Sequence, residues 1–316
     1  MTDFDAPAHV VRALVASALA EDIGPLGDLT ASLVPAGTEA SVDVMVRADG
    51  VVAGTACATE VFTQLDPAVR VTWSVDDGDA VGPGTKLGQV HGPLRAVLTG
   101  ERSALNFLCH LSGVATATRR FVQVAGPTAR IWDTRKTIPG LRAVEKAAVR
   151  AGGGVNHRGS LSEFILVKDN HLAGLGITDA VSRARAVWPG RTVEVECDRA
   201  AQVQEAIAAG ANMVLLDNMT PEQVRACVSL VRATAPAGFL VEVSGGVTLD
   251  NVRAYADAGA DLISTSVITQ SAPALDIGFD LKAGDLRAGD LKAGDLRAGD
   301  IQTGPNREGP NREGEA

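Results

Sequence analysis

Large aromatic side chains are scarce in this sequence, since Phe, Trp and Tyr make up only 3% of its 316 residues. With 46% hydrophobic residues, the chain can still fill a substantial core, which must be built mainly from Ala, Val, Leu and Ile. Such a core suits helices packed on a parallel sheet better than a β-sandwich. The length is sufficient for two domains or for one large one.

Other absences exclude further classes of protein. The four cysteines are widely spaced and form no Cys-x-x-Cys pair, which argues against a zinc site and predicts reduced, buried thiols. No apolar run reaches the ~18 residues that span a bilayer, and the N-terminus lacks the basic start of a signal peptide. These observations predict a soluble, cytoplasmic protein.

Positive charge is also in deficit, because the net charge is -9 and the pI is about 5.1. This balance disfavours nucleic acid or an anionic membrane as a partner. Any site that binds an anion must therefore be a local concentration of cations.

Cations do concentrate in three short segments of the chain. Arg135 and Lys136 lie in the first, His157 and Arg158 in the second, and Lys168 in the third. Arg offers a planar fork that matches carboxylate or phosphate, Lys a mobile charge, and His a group that titrates near neutrality. Together they predict a pocket for a multiply charged anion. The alternative is a set of solvated surface charges paired with nearby acids.

From residue 130 onward, short apolar runs alternate with amphipathic helical patterns at spacings of roughly 20 to 35 residues, the length of one βα unit. The runs lie at 130–133, 164–167, 193–196, 213–216, 240–242 and 262–264. They predict at least six parallel strands, arranged as a (β/α) barrel or as an open doubly wound sheet.

Polar residues follow the runs where each predicted strand ends. They are Arg135, Lys136, Lys168, Glu196, Asp217, Ser244, Gly245, Gly246, Thr265 and Ser266. In (β/α) barrels the catalytic groups are built on that rim, so the pattern predicts an active site there. The alternative, that each residue merely caps a following helix, is reasonable for one of them but not for the whole set.

The two ends of the chain differ from this array. Residues 1–112 combine helical patterns over 8–20 and from residue 94 with strand patterns over 41–47 and 69–73, which predicts a smaller α+β domain before a catalytic domain at 113–281. Residues 282–316 carry five-residue repeats such as Leu-Lys-Ala-Gly-Asp. Because this period matches neither helix nor strand, we expect a disordered, low-complexity tail; a segment that binds a partner is the alternative.

Three motifs resemble the signature of the quinolinate phosphoribosyltransferase family. They are Asp133-Thr-Arg-Lys-Thr-Ile-Pro-Gly140, Arg150-Ala-Gly-Gly-Gly-Val-Asn-His-Arg158 and Leu166-Val-Lys-Asp-Asn-His171. The resemblance implies an α/β fold in which an N-terminal α+β domain precedes a (β/α) barrel. It also implies a pentosyltransferase of NAD biosynthesis, which moves phosphoribosyl from phosphoribosyl pyrophosphate to quinolinate. The products would be nicotinate mononucleotide, pyrophosphate and CO₂.

The resemblance further implies roles for individual residues. Lys136, Lys168, Glu196 and Asp217 would be catalytic, with Glu196 and Asp217 as ligands of Mg²⁺, an ion that favours carboxylates together with substrate phosphates. Arg102 would enter the site from the other subunit of a homodimer. The expected substrate contacts are Arg102, Thr134, Arg135, Lys136, His157, Arg158, Lys168, Ser244, Gly245, Gly246, Thr265, Ser266 and Val267.

The glycine-containing segment 244–246 is expected to open a helix that begins near Thr248. Its backbone N–H groups would then bind the 5-phosphate at the helix N-terminus.

Two other functions are compatible with part of this pattern of residues. A barrel phosphoribosyltransferase for nicotinate or another heterocyclic acid keeps the donor site and changes the acceptor. A non-catalytic sensor of phosphorylated metabolites would bind without releasing pyrophosphate, but the presence of both Glu196 and Asp217 disfavours it.

Overall fold

The computed structural model describes residues 5–172, 174–281 and 286–287. The helices in this part of the chain are α1 (Ala8–Ile23), α2 (Thr55–Leu65), α3 (Leu94–Ala125), α4 (Arg142–Ala151), α5 (Ile177–Val187), α6 (Ala200–Ala208), α7 (Pro221–Thr234), α8 (Val252–Asp257) and α9 (Val267–Gln270). The strands are β1 (Glu39–Val46), β2 (Gly50–Val51), β3 (Arg70–Trp73), β4 (Ala80–Val81), β5 (Lys86–Pro93), β6 (Arg130–Trp132), β7 (Ile165–Val167), β8 (Val193–Cys197), β9 (Met213–Asp217), β10 (Leu240–Ser244), β11 (Leu262–Ser264), β12 (Ile277–Asp280) and β13 (Leu286–Arg287).

The first sheet is antiparallel, with strand order β12-β1-β5-β3, and β13 also pairs with β1. β1 alternates strictly between partly exposed and buried side chains, as the sequence pattern over 41–47 predicted. β12 follows all six strands of the parallel sheet in the sequence. The first sheet, formed mainly by residues before 94, is thus completed by a strand from the C-terminal part of the chain. α3 packs against both α2 and α4 and so joins this part of the molecule to the next.

The second sheet is parallel, with strand order β6-β11-β10-β9-β8-β7. Each of its six strands coincides with one of the apolar runs, which confirms the predicted barrel-like array of parallel strands. Val155 adds an isolated parallel bridge to Trp132 on β6. Helices from the βα units lie against the sheet; α5, for example, packs on β7 and β8.

The register of this sheet brings distant polar residues onto one face. Because side chains alternate along a strand, residues two apart on one strand point the same way. Asp217 on β9 is paired with Ser244 on β10, and Glu196 on β8 is paired with Leu215 on β9. The side chains that share this inner face are therefore Glu194, Glu196, Leu215, Asp217, Glu242 and Ser244.

Within the described residues, none of the helices has both the length and the apolar character that crossing a membrane requires. At the end of the chain, β13 pairs Leu286 with Ala40 and Arg287 with Glu39. These two residues are thus in a strand, whereas 282–285 and 288–316, the rest of the segment predicted to be disordered, lie outside the described residues.

Ending the chain after Leu281 is expected to lower the free energy of unfolding by no more than about 2 kcal/mol, since a backbone hydrogen bond contributes a net ~0.5–1.5 kcal/mol. Among the described residues, the truncation removes the two residue pairs that β13 forms with β1. Ending the chain after Arg287 keeps these pairs and is expected to leave stability unchanged. Urea denaturation of both truncations, with kcat/KM as a second measurement, checks this. A clear loss of stability in the chain that ends after Arg287 would show that residues beyond Arg287 pack on the rest of the protein.

Candidate active site

A cleft of about 540 Å³ opens at the carboxyl ends of the parallel strands. It is lined by Thr134, Arg135, Lys136, His157, Arg158, Leu166, Lys168, Glu196, Leu215, Asp217, Asn218, Glu242, Ser244, Gly245, Gly246 and Ser264. Cations come from the loops after β6 and β7, and from the segment that precedes β7. Acids come from β8, β9 and β10. The cleft therefore has a positive side and a negative side.

The positive side contains two arginines with unused hydrogen-bond donors. Nε of Arg135 and Nε of Arg158 are both buried, and neither has a hydrogen-bond partner among the described residues. Burial and the neighbouring charge of Arg135 lower the pKa of Arg158. Like charges held close together, with buried N–H groups unpaired, are costly unless an anion lies between them. This side of the cleft is therefore suited to a carboxylate ligand.

A buried ion pair connects the segments that bear these cations. The carboxylate of Asp133, fully buried at the end of β6, accepts hydrogen bonds from Lys146 Nζ on α4 at 2.5 Å and from the backbone N–H of His157 at 2.8 Å. It also accepts from Asn156 Nδ2 at 2.7 Å. These bonds fix the loop after β6 against residues 156–158. The cations of the first two segments are thereby brought to one place.

Below the arginines, His157 faces two fully buried carboxylates. Its Nε2 lies 3.5 Å from Glu194 Oε2 and 3.5 Å from Glu242 Oε2. Burial alone lowers the pKa of His157, but the two carboxylates outweigh burial and raise that pKa to about 9. Desolvation and the adjacent Glu242 raise the pKa of Glu194.

The negative side of the cleft carries Glu196 and Asp217. Lys168 Nζ forms a short ion pair with the Glu196 carboxylate, and Asn218 Nδ2 donates to Asp217 Oδ2 at 2.7 Å. Both acids present only oxygen donors to the cleft, which is the donor set that Mg²⁺ prefers. The lysine charge also shows that the Glu196 carboxylate can be neutralised by a cation from the cleft. These two residues could therefore hold a divalent metal ion.

The loop after β10 requires glycine for two reasons. Gly245 has φ +88°, and a Cβ built there would lie 2.3 Å from Asn218 Oδ1. Gly246 follows at φ +61°. The helix predicted near Thr248 begins at Val252, after a turn in which the backbone N–H of Thr248 donates to Asn251 Oδ1. The glycine loop itself, rather than a helix N-terminus, thus lines the cleft.

Comparisons with known proteins identify the family. The model of the quinolinate phosphoribosyl transferase N-terminal domain matches residues 28–112, and the model of the C-terminal domain matches residues 114–280. The chain belongs to the quinolinate phosphoribosyltransferase family.

Individual relatives of this family are similar over most of their length. The probable nicotinate-nucleotide pyrophosphorylase [carboxylating] of Bacillus subtilis is 41% identical over 264 residues, which is 83% of this chain and 90% of that protein. The nicotinate-nucleotide pyrophosphorylase [carboxylating] of Mycobacterium leprae is 41% identical over 284 residues, which is 88% of this chain and 98% of that protein. The solved structure of the nicotinate-nucleotide pyrophosphorylase from Francisella tularensis has a TM-score of 0.82 at 36% identity, covering 88% of this chain and 98% of that one.

Four of the substrate contacts expected from the family motifs do not line the cleft. Arg102 is exposed on α3. Thr265, Ser266 and Val267 lie at the start of α9, where Thr265 Oγ1 donates to Val247 O beside the glycine loop. The cleft does bring together all the other expected contacts, which are Thr134, Arg135, Lys136, His157, Arg158, Lys168, Ser244, Gly245 and Gly246, along with Glu196 and Asp217.

Sequence reasoning missed Asn218, Glu242 and Ser264, which line this quinolinate phosphoribosyltransferase cleft, and the buried Glu194, which faces His157. Glu194 and Glu242 stand in apolar strands and were overlooked, although Glu194 precedes Glu196 by two residues and so shares its face. Asn218 was also overlooked. It has a positive φ of 55°, which is uncommon for a residue with a side chain, and its position directly after Asp217 was the available signal.

Proposed function

We propose that this chain transfers the phosphoribosyl group of phosphoribosyl pyrophosphate to quinolinate and releases pyrophosphate and CO₂, with nicotinate mononucleotide as the product. Membership of the family and the names of its relatives support this reaction. We assign the binding site of the acceptor from one observation. The Nε donors of Arg135 and Arg158 are both buried and have no hydrogen-bond partner among the described residues. Quinolinate has two adjacent carboxylates, and two guanidinium groups can each donate to one of them.

The donor would occupy the other half of the cleft. Ser244, Gly245 and Gly246 would bind its 5-phosphate, since a loop without side chains at two positions allows close approach of backbone N–H groups. Thr265, Ser266 and Val267 would form the adjoining wall. Lys136, which is exposed at the rim, would lie between the pyridine diacid and the donor and contact both.

Glu196 and Asp217 would hold Mg²⁺ in the donor half of the cleft. When bound, this ion supplies charge stabilisation to the departing pyrophosphate. Lys168, whose Nζ is paired with the Glu196 carboxylate, would contact the acceptor.

The reaction requires positioning more than a covalent nucleophile. The pyridine nitrogen forms a bond to the anomeric carbon while the bond from that carbon to the pyrophosphate oxygen breaks. Arg135 and Arg158 hold the ring so that its nitrogen faces the donor, and Lys136 stabilises the negative charge that develops between the substrates. The new pyridinium accepts electron density, so the carboxylate beside the nitrogen leaves as CO₂. The electron pair that remains on the ring carbon then takes a proton.

The test measures pyrophosphate and CO₂ in parallel with Mg²⁺, using quinolinate or nicotinate as the acceptor. We expect release of both products, in equal amounts, with quinolinate and neither product with nicotinate. Nicotinate has a single carboxylate and cannot pair with both arginines. Pyrophosphate release with nicotinate would instead assign a transferase for a monoacid. Binding of phosphoribosyl pyrophosphate without any release would indicate a sensor.

A further inference from the structure

His157 is held on every side by groups of the protein. Its backbone N–H donates to Asp133 Oδ1 at 2.8 Å, and its carbonyl oxygen accepts from Lys146 Nζ at 2.7 Å. Its ring packs edge-on to Trp132 at 5.0 Å and against Phe164 at 5.0 Å between ring centroids. The residue lines the cleft but is only 7% exposed. Such a side chain has little freedom to move toward a substrate.

Both ring nitrogens of His157 are engaged within the protein. Nδ1 accepts a hydrogen bond from the backbone N–H of Arg158 at 2.8 Å. A ring nitrogen that accepts a hydrogen bond carries no proton, so this bond favours the neutral ring, against the effect of the two carboxylates on the pKa, and assigns the proton of that ring to Nε2. Nε2 points between Glu194 and Glu242. The ring therefore has no free N–H to offer to the acceptor.

Glu194 and Glu242 are an unusual pair for the floor of a barrel. Both side chains are fully buried, and among the described residues their oxygens make ion-pair contacts of 3.5 Å with His157 Nε2 but no hydrogen bond. Burying two unsatisfied carboxylates costs free energy and is not needed to pack a sheet. The polar group that both carboxylates face is the Nε2 of His157. Their arrangement is thus best explained by what they do to this ring.

The orientation of the His157 ring affects Arg158 through two sets of contacts. The backbone N–H of Arg158 is bonded to the ring, as described above. Its guanidinium lies over Phe164 at 5.6 Å from the ring centroid and donates to the Phe164 carbonyl at 3.1 Å. Because Phe164 also packs on His157, a rotation of the imidazole would disturb both contacts. The unpaired Nε of Arg158 would then be turned away from the acceptor.

We propose that His157 is a positioning residue, oriented from below by Glu194 and Glu242, which in turn orients Arg158 toward a carboxylate of the acceptor. This inference rests on the proposed function and deepens it, because it names the residues that set the affinity for the diacid. It assigns to His157 an indirect part in acceptor binding.

Two substitutions at position 157 separate positioning from direct binding. In His157→Asn, the side-chain oxygen stands where Nδ1 was and can still accept from the Arg158 N–H. In His157→Gln, the amide can reach toward the two glutamates, but no acceptor remains near that N–H. We expect the KM for quinolinate to rise less than about threefold in the Asn variant and about tenfold or more in the Gln variant, which is the effect of losing roughly one hydrogen bond.

The readouts distinguish positioning from a loss of structure. The KM for phosphoribosyl pyrophosphate and the melting temperature should stay near wild type in both variants. The Kd for quinolinate from calorimetry should follow the KM and does not depend on turnover. Nitrogen NMR of the wild-type imidazole, identified by its absence in His157→Asn and recorded above pH 9 where the ring is neutral, should show the proton on Nε2. His91→Asn is the matched control, because His91 is exposed in the first sheet and contacts Ser41.

A second series tests the two glutamates. Glu242→Gln keeps a side-chain oxygen that can accept from Nε2 and should change the KM for quinolinate less than about threefold, whereas Glu242→Leu should raise it about tenfold. Combined with His157→Asn, Glu242→Leu should add no further increase, because the ring through which it acts is already absent. Glu222→Gln, at an exposed position on α7, is the control for the change of charge.

Several results would overturn the inference. Equal and large increases in His157→Asn and His157→Gln would mean that a ring nitrogen binds the acceptor directly. An additive effect of Glu242→Leu in the Asn background would mean that the glutamates do not act through His157. If Glu242→Leu does not fold, the Asn and Gln pair decides alone. Failure of the proposed function looks different, since wild-type protein would then release no CO₂ from quinolinate.

Discussion

A refolded mixture of the Arg102→Ala and Lys168→Ala chains is expected to recover about a quarter of wild-type activity, although each variant alone is nearly inactive. Arg102 is exposed on α3 and does not line the cleft of its own chain, whereas Lys168 does. In a homodimer of the kind that the family motifs imply, Arg102 would complete the partner's cleft. A mixed dimer then contains one intact site and one site with both changes. Random pairing makes half of the dimers mixed. Since each mixed dimer has one intact site out of two, a quarter of all sites are active.

The measurement is pyrophosphate release after the two chains are unfolded together and refolded. Each variant refolded by itself is the first control. Arg120→Ala is the second, because Arg120 is also exposed on α3 but lies about 27 Å along the helix axis from Arg102 at 1.5 Å per residue. This variant should be active without any mixing. A mixture that stays inactive would mean that Arg102 does not act across a dimer.

Removal of both acids on the negative side of the cleft should abolish the dependence on Mg²⁺ together with most of the activity. We expect Glu196→Ala combined with Asp217→Ala to lower kcat by at least about a hundredfold, since a metal ion that neutralises a departing phosphate contributes several kcal/mol. Excess EDTA should reduce wild-type activity by a similar factor. The Kd for quinolinate should change far less, because the arginines that face the acceptor are unaltered.

Asp198→Ala is the matched control for this experiment. Asp198 directly follows β8, two residues after Glu196, but it is exposed and pairs with Arg199 rather than facing the cleft. Its replacement should leave activity and the response to Mg²⁺ unchanged. Undiminished activity of the double variant, or of wild type in EDTA, would refute the assignment of Glu196 and Asp217 as metal ligands.

The secondary structure follows from local patterns in the sequence, and most of it was predictable. The six apolar runs are the six parallel strands, and the alternation over 41–47 is β1, because a period of two is imposed by the strand backbone itself. The predicted helix from residue 94 is α3. The start of α8 was predicted near Thr248, four residues before Val252, because apolar spacing does not show the turn that precedes the helix.

The active-site cleft was predictable where its residues stand in motifs or at strand ends. Arg135, Lys136, His157, Arg158 and Lys168 form three short groups that are visible in the sequence, and the structure brings all three groups to one cleft. The pairing of cations with partners was not predictable. Nothing in the sequence indicates that the Glu196 carboxylate is bound by a lysine 28 residues earlier. Such contacts depend on which strands become neighbours.

By itself, therefore, the sequence determined the βα array, the polar ends of its strands and the chemistry that these ends can carry. Tertiary structure alone decided the register in which β8, β9 and β10 align, and with it the inner face that Glu194, Glu196, Asp217 and Glu242 share. It also decided that Glu194 and Glu242 converge on His157, a pairing across three separate segments. The physical reason is that local periodicity specifies which face a residue occupies, whereas the contacts across that face depend on how distant strands pack together.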